Sequence, residues 1–294
     1  MPELPDVTVY AECLERHVGA TRLNVLRISN PFVLRTVAPS AHELEGRRVE
    51  RVGRIGKRIV IELADGFYAV FHLMIAGRLH WLQSTGRGRR GPTLAKLEFD
   101  TGTLLLTEAG SKRRASLHLL AGTEALRAID PGGMEILQAS EASFVERVRS
   151  VNHTLKRALT DPHLFSGIGN AYSDEILHRA RLSPFARSDR LSEEEARRLF
   201  DAARETLILW IERLRADAAD GWPQTVTAFR PEMAVHGKFG RPCPVCGAPV
   251  QRIVYAENET NYCARCQTGG KVLADRALSR LLHSSWPRSI DELG

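Results

Sequence analysis

The chain has 294 residues, of which 43% are hydrophobic and 26% charged, a composition typical of a globular protein with a buried core. It contains no apolar run of the roughly 18 residues that a membrane span needs. The net charge of +6 at pH 7 favours a polyanionic partner such as nucleic acid. The first residues lack the basic and then apolar order of a signal peptide, so the sequence predicts a cytoplasmic, nucleoid-associated protein without a membrane partner.

The chain starts with Met1-Pro2-Glu3, and a small second residue permits removal of the initiator methionine. Pro2 would then carry a secondary α-amine, which titrates near about 8 and is partly unprotonated at neutral pH. Attack of this amine on a sugar aldehyde gives an iminium, which can act as an electron sink for elimination. Glu3 supplies a carboxyl group for proton transfer at the same place. The alternative is a frayed chain start without a function.

Residues 7–17 have helical periodicity, and a strand-rich region follows. Strands are predicted at 21–28, 47–55, 57–63, 67–75, 95–99, 102–107 and 115–120, with a hairpin signal at Asp65-Gly66. This pattern predicts a β-sandwich or barrel up to about residue 130. Lys57 begins one of the strands, and the basic runs 86–91 and 112–114 are either phosphate contacts or solvated loops.

Helical periodicity takes over after Pro131-Gly132-Gly133. The turn Gly167-Ile168-Gly169-Asn170 separates two helices, and Asn170 is the predicted N-cap of the second helix. Such a turn can receive a phosphate or can simply be a well-capped turn. A capping box at Ser192–Glu195 opens a long amphipathic helix, and residues 221–240 have the composition of a linker.

Four of the five cysteines form the pattern Cys243-x2-Cys246-x16-Cys263-x2-Cys266. Two Cys-x2-Cys corners suit one tetrahedral Zn²⁺, and four sulfur ligands leave no open position, so this metal is predicted to be structural. The fifth cysteine, Cys13, is predicted to be a small core residue. Residues 271–283 have the pattern of one more amphipathic helix.

The Pro-Glu-Leu-Pro start, Lys57 in the strand-rich region, the Gly-Ile-Gly-Asn turn and the four-cysteine finger occur in an order that resembles the formamidopyrimidine-DNA glycosylase/endonuclease VIII family of base-excision repair. The resemblance extends to about residue 267 and implies an α+β multidomain fold. It implies an N-terminal catalytic β-sandwich domain (1–130), a helix-two-turn-helix DNA-binding domain (131–235) and a zinc finger (236–270). Residues 271–294 are a predicted helical extension beyond the usual end of the family.

The same resemblance implies a bifunctional DNA glycosylase and abasic-site lyase that excises a damaged, oxidised base. Pro2 matches the Schiff-base nucleophile of the family, Glu3 its general acid, and Lys57 the lysine that assists elimination. The expected partner is damaged double-stranded DNA, bound by a monomer in the cleft between the two halves. Further contacts with DNA are predicted for Lys156, Asn170, Arg113 and Arg252.

The chain departs from the family pattern at three positions. Asn258, followed by the acidic Glu259, stands where the family has an arginine that grips phosphates. Ile75 stands where a methionine fills the gap left by the flipped base, and a phenylalanine wedge is absent from residues 108–115. These changes leave two alternatives open: an enzyme of the same fold for a bulky, crosslinked or single-stranded lesion, or a damage-binding protein without catalysis. Retention of Pro2, Glu3 and Lys57 argues against the second alternative.

Overall fold

The computed structural model of the chain describes residues 1–83, 93–109, 114–223, 226–255, 258–273 and 289–293. They belong to two compact units. The first unit comprises Met1–Pro131 and Trp210–Thr227, and the second comprises Gly132–Leu209 and Ala228–Gly294. None of the helices in these ranges is long and apolar enough to cross a membrane.

The described residues contain ten β-strands and eight α-helices. The strands are β1 (Leu23–Ile28), β2 (Val49–Ile55), β3 (Arg58–Leu63), β4 (Phe67–His72), β5 (Gly77–Gln83), β6 (Thr93–Phe99), β7 (Gly102–Glu108), β8 (Ser116–Ala121), β9 (Gln251–Tyr255) and β10 (Asn258–Tyr262). The helices are α1 (Leu4–Val18), α2 (Ala41–Leu44), α3 (Thr123–Ala128), α4 (Glu141–Arg149), α5 (Leu155–Thr160), α6 (Asn170–Arg179), α7 (Glu193–Ala218) and α8 (Ala264–Thr268).

The first unit is built on two antiparallel four-stranded sheets, with the strand orders β1-β6-β7-β5 and β2-β3-β4-β8. Residues from both sheets share one hydrophobic core, because alternate residues of a strand point to the same face. In β3, for example, Ile59, Ile61 and Leu63 enter this core. Helix α1 packs Val7 and Leu14 against the same core. The predicted β-sandwich is therefore confirmed.

A tight turn sets the register between β3 and β4, as the Asp65-Gly66 signal predicts. Asp65 and Gly66 have φ values of 62° and 71°, in the left-handed region that glycine and aspartate tolerate best. From this turn, the pairing extends to Arg58 opposite His72. The turn thereby brings His72 close to Lys57, which lies one residue before β3.

The second unit contains the predicted helical region and the finger. Phe144, Phe165 and Phe200 pack together, with ring centroids 4.9 and 5.3 Å from Phe144. The predicted capping box opens α7, since the Ser192 hydroxyl accepts from the Glu195 N–H at 3.1 Å and the Glu195 carboxylate from the Ser192 N–H at 2.9 Å. The combination of a sandwich, a helical region and a four-cysteine cluster confirms the α+β fold.

The segment predicted as a linker, residues 221–240, has no helix or strand in its described part, but each of its ends packs within its own unit. In the first unit, the buried Trp222 donates from its indole N–H to the carbonyl of Leu79 at 2.9 Å. In the second unit, residues 234–236 bind to Glu175 of α6. The segment is therefore ordered by long-range contacts that its composition does not reveal.

The finger consists of the β9–β10 hairpin and α8, and residues of the C-terminal tail pack against it. Ile290 belongs to the same hydrophobic cluster as Tyr262, and its N–H donates to the carbonyl of Gly270 at 2.8 Å. Lys271 pairs with Ser289 in an isolated bridge. Most of the helix predicted over 271–283 lies outside the described residues.

Candidate active site and metal centre

Pro2 and Glu3 lie immediately before α1, and both are buried. Glu3 is the N-cap of this helix and forms a capping box with Asp6, whose carboxylate accepts from the Glu3 backbone N–H at 3.0 Å. Pro5 suits the first turn of a helix because it needs no N–H donor there. The local sequence thus starts a helix at this point and holds the Glu3 carboxyl group beside the start of the chain.

The α-amine at the chain start is surrounded by charged groups. Burial is the main cause that lowers the pKa of the Met1 amine below its usual value of 8.0. Glu3 raises this pKa, whereas Arg78 and Lys57 lower it. Since only a neutral amine is a nucleophile, this environment favours the nucleophilic form of the Met1 amine. The structure therefore brings the chain start, Glu3 and Lys57 into one electrostatic environment.

Lys57 is half-buried in the turn between β2 and β3, one residue before the strand that it was predicted to begin. His72 lies nearby at the end of β4. Burial, together with the charges of Arg58 and Lys57, lowers the pKa of His72 to about 4. His72 is consequently neutral at physiological pH and adds no cation to this corner.

The turn between β4 and β5 presents an apolar side chain to solvent. Met74 has a φ of 51°, and the next residue, Ile75, is 54% exposed. Arg78 donates from Nη1 to the carbonyl oxygens of Ile75 and Gly77, at 3.2 and 2.6 Å. A Cβ atom at Gly77 would lie 2.3 Å from the carbonyl oxygen of Leu73, so only glycine fits there. The turn is therefore held in a defined conformation with Ile75 at its tip.

Lys156 and Asn170 lie together in the second unit. The Lys156 ammonium donates to the Asn170 carbonyl oxygen at 2.6 Å and to Asp174 Oδ1 at 2.5 Å. Asn170 in turn donates from its side-chain amide to the Glu259 carbonyl oxygen of β10, at 2.8 Å. The structure thus joins two predicted phosphate-binding residues, but both already have protein partners.

The prediction that Asn170 is the N-cap of its helix is wrong. Gly169 is the N-cap of α6, with an extended backbone (φ −132°), and Asn170 is the first helical residue. The Asn170 amide is used by the finger hairpin instead, a contact between residues 89 positions apart in the sequence. Sequence spacing alone could not anticipate this competition between a local cap and a long-range partner.

Of the two arginines predicted to contact DNA, Arg252 lies within the described residues and Arg113 does not. Arg252 lies on β9 with its guanidinium carbon 4.3 Å from the centre of the Phe239 ring and its Nη1 3.8 Å from Glu259 Oε2. Arg113 and the basic run 86–91 lie outside the described residues. Asn258 is the first residue of β10, where its backbone pairs with Tyr255.

The four predicted zinc ligands come together in the finger. The Sγ atoms of Cys243 and Cys266 are 3.9 Å apart, and those of Cys246 and Cys263 are 3.4 Å apart. A ZnS4 tetrahedron with Zn–S bonds of about 2.3 Å has sulfur–sulfur edges of about 3.8 Å, so the cluster fits this metal. The His178 ring on α6 lies 3.3 Å from Cys243 Sγ through its Nε2 atom, which connects the ligand to the helix.

Three family models match the chain in order. The formamidopyrimidine-DNA glycosylase N-terminal domain matches residues 1–116, the H2TH domain of the same enzyme matches 133–217, and the zinc finger found in FPG and IleRS matches 240–269. A formamidopyrimidine-DNA glycosylase of Thermus thermophilus is 35% identical over 284 residues, which covers 92% of this chain and 100% of the relative. The chain belongs to the formamidopyrimidine-DNA glycosylase family.

Solved structures agree with this membership in the family of DNA glycosylases and abasic-site lyases. The crystal structure of the MutM (Fpg) protein from T. thermophilus has a TM-score of 0.75 at 32% identity and covers 90% of this chain and 98% of its own. A Lactococcus lactis Fpg bound to DNA that contains N7-benzyl-Fapy-dG has a TM-score of 0.80 at 25% identity, over 91% of this chain and 100% of its own.

The finger of this formamidopyrimidine-DNA glycosylase family member binds one structural zinc ion. The ligands are Cys243, Cys246, Cys263 and Cys266, whose sulfur atoms all lie within 4.8 Å of one another. Four thiolates complete a tetrahedral shell, so the metal stabilises the finger and has no position for substrate. This confirms the cofactor predicted from the cysteine spacing.

Sequence reasoning missed several residues around the chain start and around the contact of α6 with the finger. Arg78 contributes to the electrostatics of the chain start, and Asp174, Glu175 and His178 of α6 contact the finger or the segment that leads to it. The structure shows that residues 171–178 of α6 are all buried, although they include Asp174, Glu175 and His178. Titratable residues on a fully buried helix must have partners, but the sequence does not name those partners.

Proposed function

We propose that this protein acts as a monomer that removes an oxidised base from double-stranded DNA and then cleaves the strand, with Pro2 as the nucleophile. The supporting observation is the environment of the chain start, where burial, Arg78 and Lys57 lower the pKa of the Met1 α-amine while Glu3 and Asp6 raise it. Pro2 is itself buried and lies beside the Glu3 carboxyl group. Removal of Met1 would leave a secondary amine at this position.

The proposed chemistry begins with attack of the Pro2 nitrogen on C1′ of the extruded nucleotide. As the Pro2 nitrogen bonds to C1′ and loses its proton, Glu3 protonates the ring oxygen O4′ and the C1′–O4′ bond breaks, which opens the deoxyribose with the base still attached. The base then leaves with the electron pair of the N-glycosidic bond and takes up the proton lost from Pro2, and an iminium forms at C1′. Loss of a C2′ proton then expels the 3′ phosphate, and water hydrolyses the remaining iminium to release Pro2.

Lys57 is proposed to assist the elimination step. It is half-buried, and its charge acts both on the α-amine and on His72. A cation there stabilises negative charge on the departing phosphate. Because His72 remains neutral, its ring does not add a competing positive charge. Contacts of Lys156, Asn170, Arg113 and Arg252 with the DNA backbone belong to the same proposal.

Borohydride reduction tests the nucleophile directly. On duplex DNA with an abasic site, the wild-type protein should form a covalent adduct, and peptide mapping should locate it at Pro2. Lys57→Met should still form the adduct, which separates Pro2 from the nearby lysine. An N-terminally blocked Pro2→Gly protein should form none. Full trapping by the blocked variant, or no trapping by the wild type, would refute the proposal.

A second candidate, an enzyme for a bulky, crosslinked or single-stranded lesion, is favoured by two observations. The exposed residue of the β4–β5 turn is the β-branched Ile75, whose side chain is shorter and stiffer than that of methionine. The finger carries Asn258 and Glu259 in place of a phosphate-binding arginine. The Fpg of L. lactis forms a complex with DNA that contains N7-benzyl-Fapy-dG. A nicking assay on duplex, single-stranded and crosslinked lesions distinguishes the candidates.

A further inference from the structure

A buried ion pair connects α5 and α6 at the predicted DNA-binding cluster. The Asp174 side chain is completely buried, and that of Lys156 is 12% exposed. Lys156 uses two of its three N–H donors on Asp174 Oδ1 and on the Asn170 carbonyl oxygen. A charge-assisted contact of this length in a buried position is strong, and it offsets the positive charge that the ammonium would otherwise present.

The second oxygen of Asp174 holds the finger. Asp174 Oδ2 accepts from the backbone N–H of Asn261 in β10 at 3.1 Å and lies 2.8 Å from Nδ1 of the buried His236. The Asn170 amide adds a bond to the carbonyl oxygen of Glu259 in the same strand, at 2.8 Å. One carboxylate thus determines both the position of Lys156 and the position of the finger hairpin.

The neighbouring cation on the finger is also opposed by an acid. Arg252 lies 3.8 Å from Glu259, and the two side chains are 46% and 28% exposed. A surface pair of this kind adds little stability, but it lowers the local positive charge. Within the described residues of this cluster, the two predicted phosphate-binding cations are therefore each matched by a carboxylate.

We propose that Asp174 is a positioning residue that keeps Lys156 neutralised and attached to the finger, so that this cluster contacts DNA by hydrogen bonds rather than by charge. The inference rests on the proposed DNA-binding function and concerns how that binding is achieved. It follows from this proposal that Lys156 neutralises no DNA phosphate in the wild-type protein. Loss of the Asp174 charge would release the ammonium to do so.

The test is the salt dependence of affinity for a duplex with a tetrahydrofuran abasic analogue, measured by fluorescence anisotropy. Asp174→Asn should steepen the slope of log affinity against log salt by about 0.9, the contribution of one neutralised phosphate. When the salt concentration rises from about 50 to 200 mM, the affinity of this variant should therefore fall by roughly 3.5-fold more than that of the wild type. Lys156→Gln should leave the wild-type slope unchanged, and the double variant should have the wild-type slope again.

Controls separate this effect from a structural one. Glu205→Gln removes the same charge from an exposed pair with Arg179 on the same unit and should leave the slope unchanged. Zinc content should be that of the wild type in all variants used, and Glu205→Gln should also form the wild-type amount of adduct at an abasic site. If Asp174→Asn fails to fold, the salt slope of Lys156→Gln alone still tests the proposal, because a slope lower by about 0.9 would show that Lys156 neutralises a phosphate.

The proposal is overturned if Lys156→Gln lowers the slope by about 0.9 while Asp174→Asn does not change it, because Lys156 would then already contact a phosphate. It is also overturned if the double variant keeps the steeper slope. Neither outcome depends on whether the wild-type protein forms an adduct with borohydride. Loss of trapping in the wild type, in contrast, would refute the proposed function itself.

Discussion

Buried ionisable groups have different environments in the two units of the molecule. In the first unit, burial lowers the pKa of the Met1 α-amine and of His72, and nearby cations lower both further, although Glu3 raises that of the amine; the neutral forms are favoured in both cases. In the second unit, the buried Asp174 and Glu175 are surrounded by N–H donors from α5, the finger and the segment before it. A neutral amine can react with an electrophile, whereas a satisfied carboxylate holds elements together. Burial therefore favours neutral groups in the first unit, whereas it brings carboxylates together with their partners in the second.

The largest effect is expected from Glu3→Gln, which tests the chemical role of the first unit. Base excision should slow by roughly 10²–10⁴-fold, the usual contribution of a general acid. Cleavage of a preformed abasic site should fall much less, because the base has already left. Single-turnover rates on both substrates measure this ratio, and Glu43→Gln at an exposed capping box provides a control. Equal losses on the two substrates would contradict the role of Glu3.

The next largest effect is expected from Cys243→Ser, which disrupts the second unit alone. Zinc content should fall from about one ion per chain towards zero, because the remaining three thiolates bind the metal weakly. Affinity for abasic-site duplex should drop by roughly a hundredfold, or about 3 kcal/mol. The amount of trapped adduct at saturating DNA should not change. A variant with full affinity and no zinc would show that the finger does not contribute to binding.

Asn258→Arg would place an additional cation in the unit whose predicted phosphate-binding cations are paired. Binding to lesion-containing duplex should tighten roughly tenfold to a hundredfold, since a charged phosphate contact contributes about 1.5–3 kcal/mol. The salt slope should steepen by about 0.9. The double change with Glu259→Gly should exceed the single change, because an acidic neighbour is removed. If affinity and slope are unchanged in both variants, and in Arg252→Ala as well, the finger does not touch the DNA backbone.

The smallest effect concerns the pH dependence of stability through His72. Its pKa is lowered from 6.5 to about 4 in the folded protein, so the unfolded chain binds a proton more readily. Stability is therefore complete above pH 6.5 and decreases as the pH falls towards 4. The loss should be about 1–2 kcal/mol after allowance for partial exposure. Urea unfolding of His72→Gln should show a weaker pH dependence in this window, whereas the exposed His42→Gln should resemble the wild type.

Local patterns were sufficient for much of this structure. The strand predicted at 57–63, the capping box at Ser192 and the cysteine spacing can each be recognised from one continuous stretch of sequence, and all three predictions are confirmed. Contacts between distant residues were not predictable in the same way. The Asn170 amide bonds to Glu259, and Glu175 binds residues 234–236, about 60 positions away. The sequence contains these side chains but no local signal of their partners.

The contact of the C-terminal tail with the finger offers a means of observing the finger in solution. The Ile290 N–H is bonded to the Gly270 carbonyl oxygen at 2.8 Å, and its side chain is 6% exposed in the cluster around Tyr262 and Cys263. Hydrogen exchange at this one amide therefore measures how often the finger opens. Arg265 and Asp291, 3.3 Å apart at the surface, would allow a spectroscopic label to be placed at the same junction. Chelator titrations could then be followed at this junction, without DNA and without enzymatic turnover.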